Sequence, residues 1–259
     1  MAARRSTTRQ PAARIGTAGW TIPRAHAHQL PFTGSHLGRF AQIFSCAEIN
    51  TSFHRPHRDS TWQRWAVSVP DHFRFSVKVP RSITHDAALS LSPETVTELA
   101  TFLEQARHLG SKLGPLLFQL PPKQAFDPVR ATAFFLHLRS LHTGAVVLEP
   151  RHPTWFTTPA EAILLRHQIA RVAADPAPVP EAAQPGGAQT LFYYRLHGAP
   201  RVYYSAYTQD QLQSLSAQIR RNLATAETWV IFDNTASGAA LGNALDLRGL
   251  LASLPPPSP

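Results

Sequence analysis

The chain has one cysteine, Cys46, in 259 residues, which excludes an internal disulfide and a cysteine-rich zinc site. Its place in the apolar run IFSCAEIN marks a buried, inert thiol rather than a nucleophile. No stretch reaches the roughly 20 apolar residues that a membrane span needs. The start, MAARRSTTRQPAAR, lacks the apolar segment of a secretory signal, so a cytoplasmic protein with no membrane contact is expected. No G-x-G-x-x-G or G-x-x-x-x-G-K-[ST] loop follows the first candidate strand, which argues against an open doubly wound nucleotide-binding sheet. H-E-x-x-H and G-x-S-x-G are also missing, leaving no compact metal motif and no nucleophile elbow.

Apolar residues make up 43% of the chain and charged residues 16%, enough for a large core and unlike a disordered composition. The length suits one α/β barrel, although two smaller domains would also fit. The net charge is +9, but Arg4, Arg5, Arg9 and Arg14 belong to the basic N-terminal stretch, and +9 less these four leaves +5. The other basic residues are scattered, as in a merely basic soluble enzyme.

Strands and helices alternate along the chain. RIGTAGW (14–20) and IFSCAEIN (43–50) read as strands one and two, with a short helix at about 35–42 between them. A helix at 60–66 with Trp62 and Trp65 on one face precedes FRFSVKV (73–79), whose strict alternation makes it the clearest strand. Ser92 is placed to cap a long helix with Pro93 in its first turn, and PLLFQL (115–120) supplies strand four. Asp127 caps the next helix before AVVLEPR, strand five. A helix at 159–168, IARVAAD, LFYYRLH, a helix at 208–224, WVIFDN and a last helix at about 239–254 complete the series. Eight such units predict a single-domain (β/α)₈ TIM-type barrel over 14–254, with a disordered basic tail at 1–13 and a Pro-rich frayed tail at 255–259. Residues 176–190 carry too much proline and glycine for a regular helix, so strands six and seven are joined irregularly.

In such a barrel the functional side chains come from the carboxyl ends of the strands. Those ends are Trp20, then Glu48 and Asn50, Lys78, Gln119, then Glu149, Arg151 and His152, then Asp175, Arg195 and His197, and finally Asp233 and Asn234. Residues two apart share a face, so Tyr193, Arg195 and His197 point together, as do Glu48 with Asn50 and Glu149 with Arg151. Strand eight leaves Asp233 and Asn234 as alternatives for the inward position. The pattern predicts a mouth in which Glu149, His197 and Lys78 do acid and base chemistry. Trp20, Glu48, Asn50, Gln119, Arg151, Asp175, Arg195 and Asn234 would bind the ligand. Paired structural networks also occupy the upper layers of barrels, because a buried charge needs a partner. His152 fits a turn residue, and His54 and His57 are not assigned as metal ligands. Glu48, Glu149, Asp175 and His197 could compose a zinc or manganese site, but no ligand spacing supports it and no metal is assigned. The residues leave the cofactor unknown.

IGTAGW, EINTSFHRP, KLGPLLFQLPP, EPRHPTW, YYRLHG and FDNTASGAALGNA, recurring in order from Ile15 to about Leu251, resemble the domain of unknown function 72, or YecE-like, family. The resemblance implies a TIM-type barrel and no particular activity. Three positions depart from the family pattern: Pro150 and His54 where an aromatic residue is usual, and Asp233 where asparagine is common. Three functions follow as expectations. The first is a small-molecule enzyme, with Lys78, Arg151 and Arg195 on an anionic group, Glu149 or His197 moving a proton and Trp20 walling the substrate. The second is a metal-dependent nucleic-acid barrel using the basic and aromatic residues of FHRPHRD and RVYYSAY, by fold analogy. The third is a noncatalytic ligand-binding module.

Overall fold

The computed structural model describes residues 13–253. The two expected tails therefore lie outside the described residues, except Ala13, which opens the first strand. The fold is α/β. Along the chain run β1 (Ala13–Thr17), α1 (His36–Ala41), β2 (Cys46–Ile49), α2 (Asp59–Val67), β3 (Arg74–Lys78), α3 (Pro93–Arg107), β4 (Leu113–Gln119) and α4 (Pro128–Leu141). Then come β5 (Val146–Glu149), α5 (Thr158–Arg166), β6 (Ala170–Arg171), β7 (Ala173–Asp175), β8 (Gly186–Gly187), β9 (Leu191–Leu196), α6 (Gln209–Asn222), β10 (Glu227–Phe232) and α7 (Ala239–Ala252).

Local chemistry sets the helix starts. The Ser92 hydroxyl accepts the Thr95 N–H ahead of Pro93, and the Asp127 carboxylate accepts from Val129 and Arg130. Thr208 and Gln211 close a reciprocal capping box at the head of α6.

The strands form two sheets rather than one continuous ladder, in the orders β1-β10-β9-β7 and β2-β3-β4-β5-β6-β8. Every pairing is parallel except β6 with β8. The expected sixth strand is divided: β6 pairs with β5 in one sheet, and β7, one residue later, pairs with β9 in the other. At the opposite edges Ala18 forms a single parallel bridge with Glu48, and the Gly19 N–H donates to the Glu48 carbonyl at 2.8 Å. A side chain at Gly16 would fall 2.1 Å from the Cys46 carbonyl oxygen, so only glycine lets β1 and β2 approach this closely. The irregular connection between expected strands six and seven carries a single helical turn (Pro180–Ala183) and β8, which lies antiparallel on β6.

Strand parity sorts the core into two layers. Cys46, Leu117, Val147, Val172, Tyr193, Trp229 and Ile231, drawn from both sheets, pack on one another. Phe75, Phe118, Leu148, Tyr194, Val230 and Phe232 face the helices. Arg14 belongs to this framework rather than to a tail: it lies in β1, with its Nε 2.5 Å from Glu227 and its guanidinium over the Trp229 ring. No helix among the described residues is long and apolar enough to cross a membrane.

Candidate functional site

The carboxyl ends of the strands carry three stacked polar layers. In the deepest, the Tyr193 hydroxyl donates to Glu48 Oε2 at 3.0 Å and accepts from Ser76 Oγ at 2.8 Å, joining β9 to β2 and β3. Above it, Arg195 is wholly buried and divides its donors among three acids. Its Nε and Nη2 reach Glu48 at 2.8–3.2 Å, Nη1 reaches Glu149 at 3.2 Å, and Nη2 reaches Asp233 at 3.0 Å. In the third layer His197 Nδ1 lies 2.9 Å from Asp233 Oδ2, and Nε2 lies 2.9 Å from Glu149 Oε1 and 2.6 Å from Arg151 Nη2. Arg151 also pairs with Glu149.

Burial alone would push the Glu149 and Asp233 carboxyls up. Their partners win: Arg151, then Arg195 and contact with His197, hold Glu149 well below the usual carboxylate range, and Arg195 and the His197 hydrogen bond lower Asp233. Glu149 and Asp233 are thus favoured as carboxylates, and Glu48 is engaged by Arg195 and Tyr193.

Lys78 is different. Its side chain is 7% exposed, and its ammonium has no hydrogen-bond acceptor among the described residues; it sits 3.9 Å from the centre of the Phe53 ring. Burial, with Arg195 adding to it, pushes the amine down to about 8.

Lys78 and Arg151 form part of the wall of a cavity of about 620 Å³, together with Arg81, Asn50, Gln119 and Asp233. Tyr203, held at φ 70°, closes one side and sets its ring edge-on to His197 at 5.7 Å. His85 lines the same cavity; burial, then Arg81 and Lys78, lower its pKa. The buried Asn50 Oδ1 has no partner, and Gln119 Nε2 reaches only Glu149, at 3.5 Å. A larger cavity of about 950 Å³ lies over Trp62 and α3 and shares Phe53, His54 and Arg81 with this one.

The expected residues therefore divide. Lys78, Arg151, Asn50 and Gln119 face the cavity. Glu48, Glu149, Arg195 and His197 lie beneath it, fully buried and occupied by one another, and none of the four lines the cavity. Three expectations are corrected. Trp20 packs edge-on against Trp65 and Phe75 on the helix side, because Gly19 at φ 75° turns the chain out of the strand before it. Asp175 pairs with Leu196 on the helix-facing parity and borders a separate cavity beside Tyr207. Asn234 is buried against the Ser205 carbonyl and Asn243, and Asp233 takes the inward position beside Ile231. His152 accepts the Thr154 N–H and caps a turn, while His57 packs on Trp62 and Trp65.

Arg81 and His85 were absent from the sequence-derived set, although both follow Lys78 within seven residues, in the segment after the best-defined strand; Phe53 and Tyr203 entered only through the aromatic and basic residues of FHRPHRD and RVYYSAY. Among the described residues no group of three or more His, Cys, Asp or Glu side chains is arranged to hold a metal. Of the four suggested ligands, Glu149 and His197 meet at 2.9 Å, but Arg195 occupies Glu48 and Glu149, and Asp175 lies on the other parity of its strand.

A profile for proteins of unknown function, DUF72, matches residues 14–259. UPF0759 protein YecE of Escherichia coli K12 is 34% identical over 180 residues, and the alignment covers 66% of this chain and 61% of that protein's length. A crystal structure of a DUF72 family protein from Enterococcus faecalis V583 superposes with a TM-score of 0.78 at 20% identity, covering 94% of this chain and 97% of that one. Another, from Thermotoga maritima MSB8, gives 0.74 at 21% identity, covering 93% and 99%. At these identities the structural likeness is one of fold.

Proposed function

This chain belongs to the DUF72 family, and from that premise we propose that its strands close into a (β/α)₈ barrel whose carboxyl end takes a small anionic ligand. Closure is supported by an interior cluster drawn from both sheets, by the Tyr193 bridge to Glu48 and Ser76, and by the Ala18–Glu48 contact. The parallel α/β order and the chain length fit such a ring.

The anion reading rests chiefly on Lys78. A largely buried ammonium without a hydrogen-bond acceptor is costly unless something else supplies one. The acids nearby are already engaged by Arg195, Arg151 and His197, so an anion in the cavity would supply the acceptor that Lys78 lacks. Arg81 and Arg151 bring further positive charge to the same space, and Asn50 and Gln119 add polar groups that orient an anion.

The buried layers hold this face rather than react. Arg195 fixes three acids, His197 sits between two of them, and together they aim Arg151 at the cavity. Lys78, titrating near neutrality, is the cavity group suited to exchange a proton with a bound ligand. Calorimetric titration with acetate, oxalate and inorganic phosphate, on the natural chain and on Lys78→Met, tests the reading. Binding that is lost in the variant supports it. Failure of all three anions to bind contradicts it.

A further inference from the structure

Resting on the anion-binding reading above, we propose that Lys78 is an imine-forming residue, condensing with the carbonyl group of a small anionic aldehyde or 2-oxo acid whose carboxylate is held by Arg151 and Arg81.

The use of lysine in the chain is the first support. Among 25 basic residues only Lys78, Lys112 and Lys123 are lysines, and the other 22 are arginine. Lys112 is tied to Asp71 at 2.9 Å and to the Pro70 carbonyl at 2.8 Å, and Lys123 is exposed. A guanidinium keeps its proton at any ordinary pH, whereas an amine can lose it and attack. The other basic side chains of the cavity wall and of the cluster beneath it that carry a fixed charge, Arg81, Arg151 and Arg195, are arginines. At the cavity wall the chain keeps the one cationic side chain that can become a nucleophile.

The surroundings of Lys78 suit that role. Its nitrogen lies over an aromatic face and makes no direct ion pair with a carboxylate. Burial and the neighbouring Arg195 lower its affinity for that proton, the arrangement that activates a lysine. His85, also lowered by burial, packs on the opposite partner of the pair, the Phe53 ring, at 5.0 Å and lines the same cavity.

The step balances within the site. Lys78 gives up one ammonium proton, and the neutral amine attacks the carbonyl carbon. The C–N bond forms as the carbonyl π pair moves to oxygen, which takes up that proton. Loss of a second nitrogen proton to the departing hydroxyl releases water, and the nitrogen remains as a protonated imine. The sum is ammonium plus carbonyl giving iminium plus water, with no oxidant or reductant. His85, neutral near pH 7, can carry the proton between nitrogen and oxygen.

The test uses the full chain, glyoxylate as the probe and cyanoborohydride to trap the imine, with peptide mapping of all three lysines. The proposal expects reduced adduct at Lys78 at least tenfold faster than at exposed Lys123, slowed by oxalate, and absent in a folded Lys78→Arg protein. Adduct confined to Lys123 while oxalate still binds calorimetrically overturns the imine and leaves the anion site standing. Adduct confined to Lys123 with no oxalate binding overturns both. If Lys78→Arg melts early, Lys78→Met serves as the control, and labelling of Lys78 at the Lys123 rate also overturns the proposal.

Discussion

Arg195 and Glu48 stand 147 residues apart in the chain and meet through three hydrogen bonds of 2.8–3.2 Å, both wholly buried. The pair joins β9 of one sheet to β2 of the other. Removing the guanidinium strands Glu48, Glu149 and Asp233 without their shared cation, and an orphaned buried charge costs about 3–5 kcal/mol. Arg195→Met is therefore expected to lower the melting temperature by roughly 6–20 °C in a chain of this size. Thermal denaturation at pH 7 checks it; a loss of under about 2 °C would contradict the keystone role.

Gly16→Ala probes the meeting of β1 with β2. The added methyl lands 2.1 Å from the Cys46 carbonyl oxygen, a backbone atom that cannot swing away. Overpacking of this kind costs about 1–3 kcal/mol. Denaturant unfolding should show the loss with an unchanged m-value, whereas a neutral result would mean that the two edges are not held together.

The depressed pKa of Glu149 makes stability acid-sensitive. A carboxyl whose folded pKa lies below its ordinary value contributes stability that is present above that value and lost as the pH falls through the folded one. The natural chain should lose stability as pH drops below the usual carboxylate range near 4.5, and Glu149→Gln should flatten that slope while lowering stability at pH 7. Parallel slopes for the two proteins would show that Glu149 is not a principal source of the acid sensitivity.

Much of this was legible in the sequence. The alternation in LFYYRLH placed Tyr193, Arg195 and His197 on one face, and Ser92 and Asp127 marked two helix starts. Spacing along one strand cannot say where its last residue points once the chain turns, so Trp20 beyond Gly19 and Asp175 beyond the split sixth strand were assigned to the wrong side. Nor could it separate groups facing the ligand from groups saturated by one another. Glu149 and His197 look as reactive in sequence as Lys78, and only the partner geometry distinguishes them.

Lys78 carries a stability cost that depends on pH. A lysine whose folded pKa is lowered from 10.5 to about 8 binds fewer protons in the native state between those values, so stability rises with pH across that window. Below about 8 the penalty is full, at most about 3 kcal/mol, and it is net of Arg195, which opposes the charge, and Glu48, Glu149 and Asp233, which favour it. Lys78→Met should then melt above the natural chain at pH 7, with the gap closing toward pH 10. A variant that melts lower at pH 7 would make Lys78 a structural cation.

The most direct measurement is the pH profile of oxalate binding, by calorimetry, on the natural chain and on Lys78→Arg between pH 6 and pH 10. If the Lys78 ammonium holds the anion, affinity in the natural chain falls as the pH rises through about 8. In the arginine variant, which cannot lose its proton, that fall disappears. A profile that is flat in the natural chain, or the same in both proteins, would contradict Lys78 as the anion-binding group.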